Sequence, residues 1–346
     1  MTKKNVIDQL LVKESSSRLQ PLYSYVERIQ QQISASAAAV YVIQHDQVIG
    51  EWYAGIHSFS SDLKIQENSR FNVHSVRKSY IGLATAIVME NGHIQDIDDS
   101  VLDYLDEEHD LLKGITIRHL VTHTHGLDLM DGRLVRKFFP GYGWDYNNAG
   151  LSLLYKIILQ TTGHTVNEIL QENVFKPLGF QETGWERMEK SNLVYDVFEP
   201  TNEARLRLDD ESGFERNMYV SAHELAHFGY FHLKRGEIGG KQIVPSVLFD
   251  LTTAVQTPST PHPTPQNGFF WFRNVNNYSS SEIGEHVPKG AYQMLGSSGC
   301  TVLVIPEYEA VVVRMYNKVG NPPIYHYLQD INQFGNLVSS LLHESN

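Results

Sequence analysis

The spacing of apolar and polar residues divides the chain into three stretches. Residues 16–34 place Leu19, Leu22, Tyr23, Val26 and Ile29 at helical intervals, which predicts a helix. The period then changes. Over residues 37–54 two β-rich runs flank His45-Asp46-Gln47, which predicts a hairpin. After Arg70 the pattern turns helical and stays so to about residue 235, broken by Gly-rich turns. The β signal returns in residues 268–275 (GFFWFRNV), 300–306 (CTVLVIP) and 310–317 (AVVVRMYN), and residues 325–344 read as a closing helix. Strands at both ends around a helical middle predict an α/β unit assembled from both termini, with a helical insertion. The expected division is a sheet domain from residues 1–73 and 236–346, and a mainly helical domain from residues 74–235. The Pro-rich stretch 258–265 is too short for a linker and reads as a loop. There is no internal repeat.

Composition narrows the function classes. The 346 residues are 41% hydrophobic and 20% charged, which is globular composition. Against 28 Lys and Arg stand 40 Asp and Glu, a net charge of −12 with no basic block. That balance argues against nucleic acid as partner and against a polybasic membrane-surface mode. A single cysteine, Cys300, excludes an intrachain disulfide framework and any multi-cysteine metal site. No run reaches the roughly 18 apolar residues that span a bilayer. The first residues carry Lys3 and Lys4 but no apolar stretch of signal-peptide length, so the chain as written reads as cytoplasmic.

Three segments carry candidate chemistry. In Ser75-Val76-Arg77-Lys78 the serine and lysine stand three apart and share one face of a helix. A serine in the first turn lies at the positive end of the helix dipole, which favours an alkoxide and a developing oxyanion. A desolvated Lys78 loses its proton and is then able to take that of Ser75. Residues 141–150 (GYGWDYNNAG) form a Gly-rich loop that brings Tyr146 and Asn148 to the start of the next helix. Leu295-Gly296-Ser297-Ser298-Gly299 leads into a strand, where backbone amides are placed to form half of an oxyanion hole.

In this order the three segments resemble the serine β-lactamase and penicillin-recognising enzyme family, in particular its class C and esterase-like branch. The text between them is similar too: residues 115–127 (ITIRHLVTHTHGL) and 175–185 (FKPLGFQETGW) match family runs. The resemblance covers roughly residues 37–320. It implies an α+β fold, an antiparallel sheet flanked by helices plus a mainly helical domain, with the cleft where the two meet. It implies a serine hydrolase that acts through an acyl-enzyme on a small ester, amide or β-lactam-like substrate, without cofactor or metal. Ser75 would be the acylated nucleophile, Lys78 and Tyr146 would share the general-base work, and Tyr146 would protonate the leaving group. Asn148 would position Lys78 or substrate, and the amides of Ser75 and Ser297 beside Gly296 would bind the oxyanion. Where the family often has Lys-Thr-Gly or His-Thr-Gly, this chain reads Met294-Leu295-Gly296. The cationic group for a substrate carboxylate is missing there, which shifts weight toward esters and neutral amides. A rival alignment puts Ser297-Ser298-Gly299 at that triad and Cys300 at the oxyanion position. His125 replaces a usual Ser at a position expected to be structural.

A competing motif is His223-Glu224-Leu225-Ala226-His227, the H-E-x-x-H pattern of zinc hydrolases. The blander expectation is a capping box, with Ser221 as N-cap and Glu224 reaching back; the stretch also resembles a helix of the same family, which implies that both histidines face solvent. His232 lies about 140° around the helix from His227 and is poorly placed as a third ligand. A non-catalytic homologue that binds a peptide or cell-wall fragment is the remaining alternative. Asp96, Asp98, Asp99 and Asp103 are expected to cap a helix, and His119, His123 and His125 to pack or hydrogen-bond. Phe269, Phe270 and Trp271 are expected on a core strand, some of them lining the acyl pocket.

Overall fold

The computed structural model describes residues 5–106, 109–275 and 282–343. Lys3, Lys4 and Glu344, which entered the readings of the two termini, lie outside the described residues. Ten strands and six helices position the site. The strands are β1 (Val12–Lys13), β2 (Ala37–Gln44), β3 (Gln47–Gly55), β4 (Arg70–Asn72), β5 (Thr183–Trp185), β6 (Met218–Ser221), β7 (Phe272–Arg273), β8 (Tyr292–Leu295), β9 (Thr301–Ile305) and β10 (Ala310–Tyr316). The helices are α1 (Gln20–Gln32), α2 (Arg77–Glu90), α3 (Ala149–Thr162), α4 (Ala222–Leu233), α5 (Ser246–Thr253) and α6 (Tyr327–Leu342).

The main sheet runs β1-β3-β2-β10-β9-β8-β7. Its pairs are antiparallel except β1 with β3. β2 and β10, from opposite ends of the chain, pair at its centre. The hairpin between β2 and β3 turns on His45 and Asp46, both at positive φ, as a two-residue turn of the I′ kind requires.

Period-two alternation sends the central strands into two cores. Ala37, Ala39, Tyr41 and Ile43 enter one, with Leu225 and Phe228 of α4 and Ile81 of α2. Ala38, Val40 and Val42 enter the other, with Leu22, Val26 and Ile29 of α1 and Ile331, Phe334 and Val338 of α6. A sheet buried on both faces explains why β2 reads as a continuous apolar run. α4 lies close on the sheet: a Cβ added at Gly229 would stand 2.6 Å from Val311 Cγ1, so only glycine fits that approach.

α6 is fastened through a buried ion pair. Arg314 of β10 meets Asp330 at 2.9 Å, and the Tyr25 and Tyr325 hydroxyls donate to the same carboxylate. The Arg314 Nε–H also donates to Gly299 O, which holds the turn between β8 and β9.

A small antiparallel sheet, β4-β6-β5, leads the chain into α2. α2 is buried on nearly all sides, which makes it a central helix with little amphipathic stripe. The aromatic run differs from expectation. Only Phe272 and Arg273 form a strand; the amides of Phe269 and Phe270 donate instead to Thr252 O and Val121 O, so these residues plug a gap between helices.

No described helix is long and apolar enough to cross a membrane.

Candidate active site

Ser75 sits where β4 leaves the small sheet, in a 3-10 turn (His74–Val76) that runs directly into α2. The residue before it is held in an uncommon conformation. His74 has φ +47, its amide donates to Asn72 Oδ1, and its ring meets the buried Asp196 at 3.1 Å. Strain of this kind persists only when neighbours over-determine it. Here it sets the direction in which Ser75 leaves the sheet.

Lys78 follows one turn later, 1% exposed, with Nζ 3.3 Å from Ser75 Oγ. Burial, together with repulsion from Arg77 and Arg216, holds its pKa well below that of an ordinary lysine. The amine is also capped by the Tyr146 ring, whose centroid is 3.9 Å from Nζ. Tyr146 is 38% exposed along the cleft, and its hydroxyl is hydrogen-bonded with Ser75. Burial raises the phenol pKa, and Ser75, Arg77 and Arg216 partly oppose the rise. The two shifts run in opposite directions. They favour the neutral amine of Lys78 and the protonated phenol of Tyr146, both beside the Ser75 hydroxyl.

An aromatic nest fixes Tyr146. His123 packs at 4.6 Å between ring centroids, Trp144 at 5.9 Å and Phe272 at 6.3 Å. Burial, with Lys78 and His125 nearby, holds His123 neutral. Trp144 is itself fixed by its Nε1–H, which donates to Asn267 Oδ1 at 2.9 Å.

Two cavities meet at Ser75. The larger, about 420 Å³, is walled by Trp144, Tyr146, Phe272, Leu295, Tyr327 and Leu328 and reaches Gly296 and Ser297. The smaller, about 220 Å³, is polar and is lined by Lys78, Asn148, Arg207, Arg216 and Ser297 among others. Asn148 Oδ1 is buried there without a hydrogen-bond partner. The helix cap of α3 comes instead from Asn147, whose Oδ1 accepts the Ala149 amide.

Gly296 N–H donates to Cys300 O, while Ser297 beside it lines both cavities together with Ser75. The Tyr327 hydroxyl donates to Gly296 O and ties this turn to α6. All six positions named from the motifs therefore line the two adjoining cavities. Cys300 does not. It is fully buried, donates to Tyr316 O, and burial pushes its thiol up to about 11. The geometry thus places Ser297 at the cleft and Cys300 behind it.

The other expectations divide. His119 completes a capping box with Thr116, and His125 Nδ1 accepts the Leu127 amide. Asp96 and Asp99 accept backbone amides in their turn, and Asp98 pairs with Arg118. Phe269, Phe270 and Trp271 are core residues away from the cavity, and Phe272 is the one that reaches it. His223 and His227 are buried at 6% and 0% exposure, because α4 lies on the sheet, and do not face solvent. Ser221 does cap α4, but the Glu224 carboxylate accepts the Gln181 and Glu182 amides and the Thr183 hydroxyl, so it does not close a capping box. The missing cation at Met294 does not leave the site without positive charge, since Arg207 and Arg216 line the polar cavity. Both lie on an irregular segment with no motif, and no spacing rule points to them.

Comparison with known proteins agrees with this architecture. An uncharacterized protein of Alkalihalophilus pseudofirmus is 41% identical over 96% of this chain and 99% of its own length. Among solved structures, one titled "A class C beta-lactamase" is 14% identical and has a TM-score of 0.78, covering 96% of this chain and 98% of its own. Another, titled "EstCE1, a hydrolase with promiscuous acyltransferase activity", is 20% identical with a TM-score of 0.72, covering 93% of this chain and 100% of its own. The family model described as Beta-lactamase matches residues 23–331, a span that holds both cavities and nearly the whole sheet, and the chain belongs to that family.

Proposed function

We propose that this protein is a serine hydrolase that cleaves an ester or amide through an acyl-enzyme on Ser75. The observation that carries this reading is the desolvated Lys78 amine 3.3 Å from Ser75 Oγ, with the protonated Tyr146 phenol on the other side. Ser75 Oγ bonds to the substrate carbonyl carbon as its proton passes to Lys78. The Ser75 and Ser297 amides hold the oxyanion, each contributing about 2.7–4 kcal/mol of barrier lowering. The bond to the leaving group breaks, and that group takes its proton from Tyr146, which Lys78 reprotonates. Water then attacks the acyl-enzyme by the same route in reverse order, releasing the acid and free Ser75.

The apolar walls Trp144, Phe272, Leu295 and Leu328 suit a hydrocarbon acyl group. Arg207 and Arg216 on the polar side favour a substrate with an anionic group beyond the scissile bond. A zinc hydrolase built on the H-E-x-x-H motif is less well supported, because Glu224 is held by residues 181–183 and is not free to act as its base.

The test is a fluorophosphonate probe with intact-mass readout, paired with p-nitrophenyl ester turnover. The wild type is expected to gain one adduct and hydrolyse the ester. Ser75→Ala is expected to do neither, and full turnover by that variant would sink the mechanism. A matched pair of esters, with and without a carboxylate, reads the contribution of the two arginines.

A further inference from the structure

The H-E-x-x-H helix finds its third partner far away in sequence. In the turn Ile7–Gln9, Asp8 lies against α4, with Oδ1 2.6 Å from His223 Nε2 and 3.7 Å from His227 Nε2. One ligand atom from each of Asp8, His223 and His227 falls within 4.8 Å of the others. His227 is fully buried, yet neither of its ring nitrogens has a hydrogen-bond partner. An imidazole sealed in a core with both nitrogens unused costs free energy unless something engages one of them. His223 presents its other nitrogen, Nδ1, to Glu182 Oε2 at 3.6 Å, an ion-pair distance. A carboxylate behind a histidine is how metal-binding imidazoles are oriented.

We propose that Asp8, His223 and His227 bind a zinc-class divalent ion that clips the N-terminal segment to α4. Two imidazoles and a carboxylate suit zinc or a similar borderline ion better than calcium or magnesium. Ligand atoms on tetrahedral zinc stand about 3.3 Å apart. The 3.7 Å pair already fits, and the 2.6 Å hydrogen bond has to open by less than an ångström as the ion replaces the shared proton. Asp8 has room for that, being 40% exposed, and the same opening admits water as fourth ligand. The site is structural. None of its three residues lines the cavities at Ser75, and the carboxylate of Glu224 is engaged elsewhere.

The experiment uses the full chain, stripped with a chelator, dialysed, and titrated with Zn2+ against a chromophoric competitor. A parallel titration uses Co2+, whose visible bands report coordination geometry. The expected result is one equivalent of metal, tetrahedral Co2+ bands, a higher melting temperature with metal bound and unchanged p-nitrophenyl ester turnover. Glu182→Gln should weaken binding about 10- to 100-fold. His227→Gln and Asp8→Asn should remove the stoichiometric site, while Glu224→Gln keeps it. Absence of binding by the folded wild type overturns the proposal, as does unchanged binding by folded His227→Gln. Loss of ester turnover on stripping overturns the structural assignment. Wild-type stoichiometry and the Co2+ spectrum need no variant, so the test stands even where a variant does not fold. It is also independent of the acyl-enzyme reading, which the Ser75 probe decides.

Discussion

At Ser75 the proposed mechanism divides the work among three side chains by their surroundings more than by their identity. Burial and Arg77 suppress the charge of Lys78, which suits it to the proposed role of base, and burial suppresses the phenolate of Tyr146, which suits it to that of acid. Lys78→Ala and Tyr146→Phe are each expected to lower kcat at least about 100-fold, the low end for a general acid–base group. Steady-state ester hydrolysis with a circular dichroism control for folding measures both. The pH profile carries the sign. The productive Lys78 is neutral, so activity is full above its pKa and falls as acid protonates it. Because that pKa is depressed, the acidic limb lies well below the roughly 10.4 of a free lysine. A limb centred near that free value would contradict the assignment. These residues were legible in the sequence because Ser-x-x-Lys and Tyr-x-Asn are short and local. Arg207, Arg216 and Asp8 were not, because only the folded chain brings them beside their partners.

Elements were legible where one period dominates. β2 and the hairpin turn follow from a continuous β-rich apolar run and from the short polar break at His45 and Asp46. The aromatic run 268–275 misled because a dense apolar stretch suits a strand and a core plug equally well, and tertiary hydrogen bonds to Thr252 and Val121 decided it. α4 misled in the opposite sense. Its histidines read as polar and outward, yet the close seat allowed by Gly229 buries them against the sheet. Gly229→Leu is expected to destabilise the protein by at least about 1 kcal/mol through overpacking against Val302 and Val311. Urea denaturation followed by tryptophan-independent circular dichroism reads it, and an unchanged midpoint would show that α4 has more freedom than its packing implies.

On the scale of the whole molecule, the first and last parts of the chain close one sheet through the β2–β10 pair. We propose that the division at residues 74 and 235 separates layers of one discontinuous unit. α4 lies inside the 74–235 span and packs on β2, β9 and β10, which lie outside it. Residues 74–235 expressed alone are expected to stay unfolded by circular dichroism and proteolysis, since α4 would lose the face it covers. The full chain is expected to melt in a single calorimetric transition. A stable, protease-resistant fragment would show instead that the helical layer is an autonomous domain. The net charge of −12 acts at this scale too, offering no long-range attraction to anionic polymers, so under the proposed function an anionic group on the substrate would be met locally by Arg207 and Arg216.

Trp144 stands in the wall of the larger cavity, while the chain's three other tryptophans lie elsewhere: Trp52 stacks on Tyr23, Trp185 donates to Glu215 O, and Trp271 is sealed in the core. The protein thus has an intrinsic fluorophore at the place where an acyl group would sit. Acylation of Ser75 by a slow substrate should shift or quench the Trp144 share of the indole emission in proportion to occupancy. In Trp144→Phe the signal should vanish while the adduct mass remains. Stopped-flow emission then separates formation of the acyl-enzyme from its breakdown without any chromophore on the substrate, so natural esters and amides can be ranked as they are.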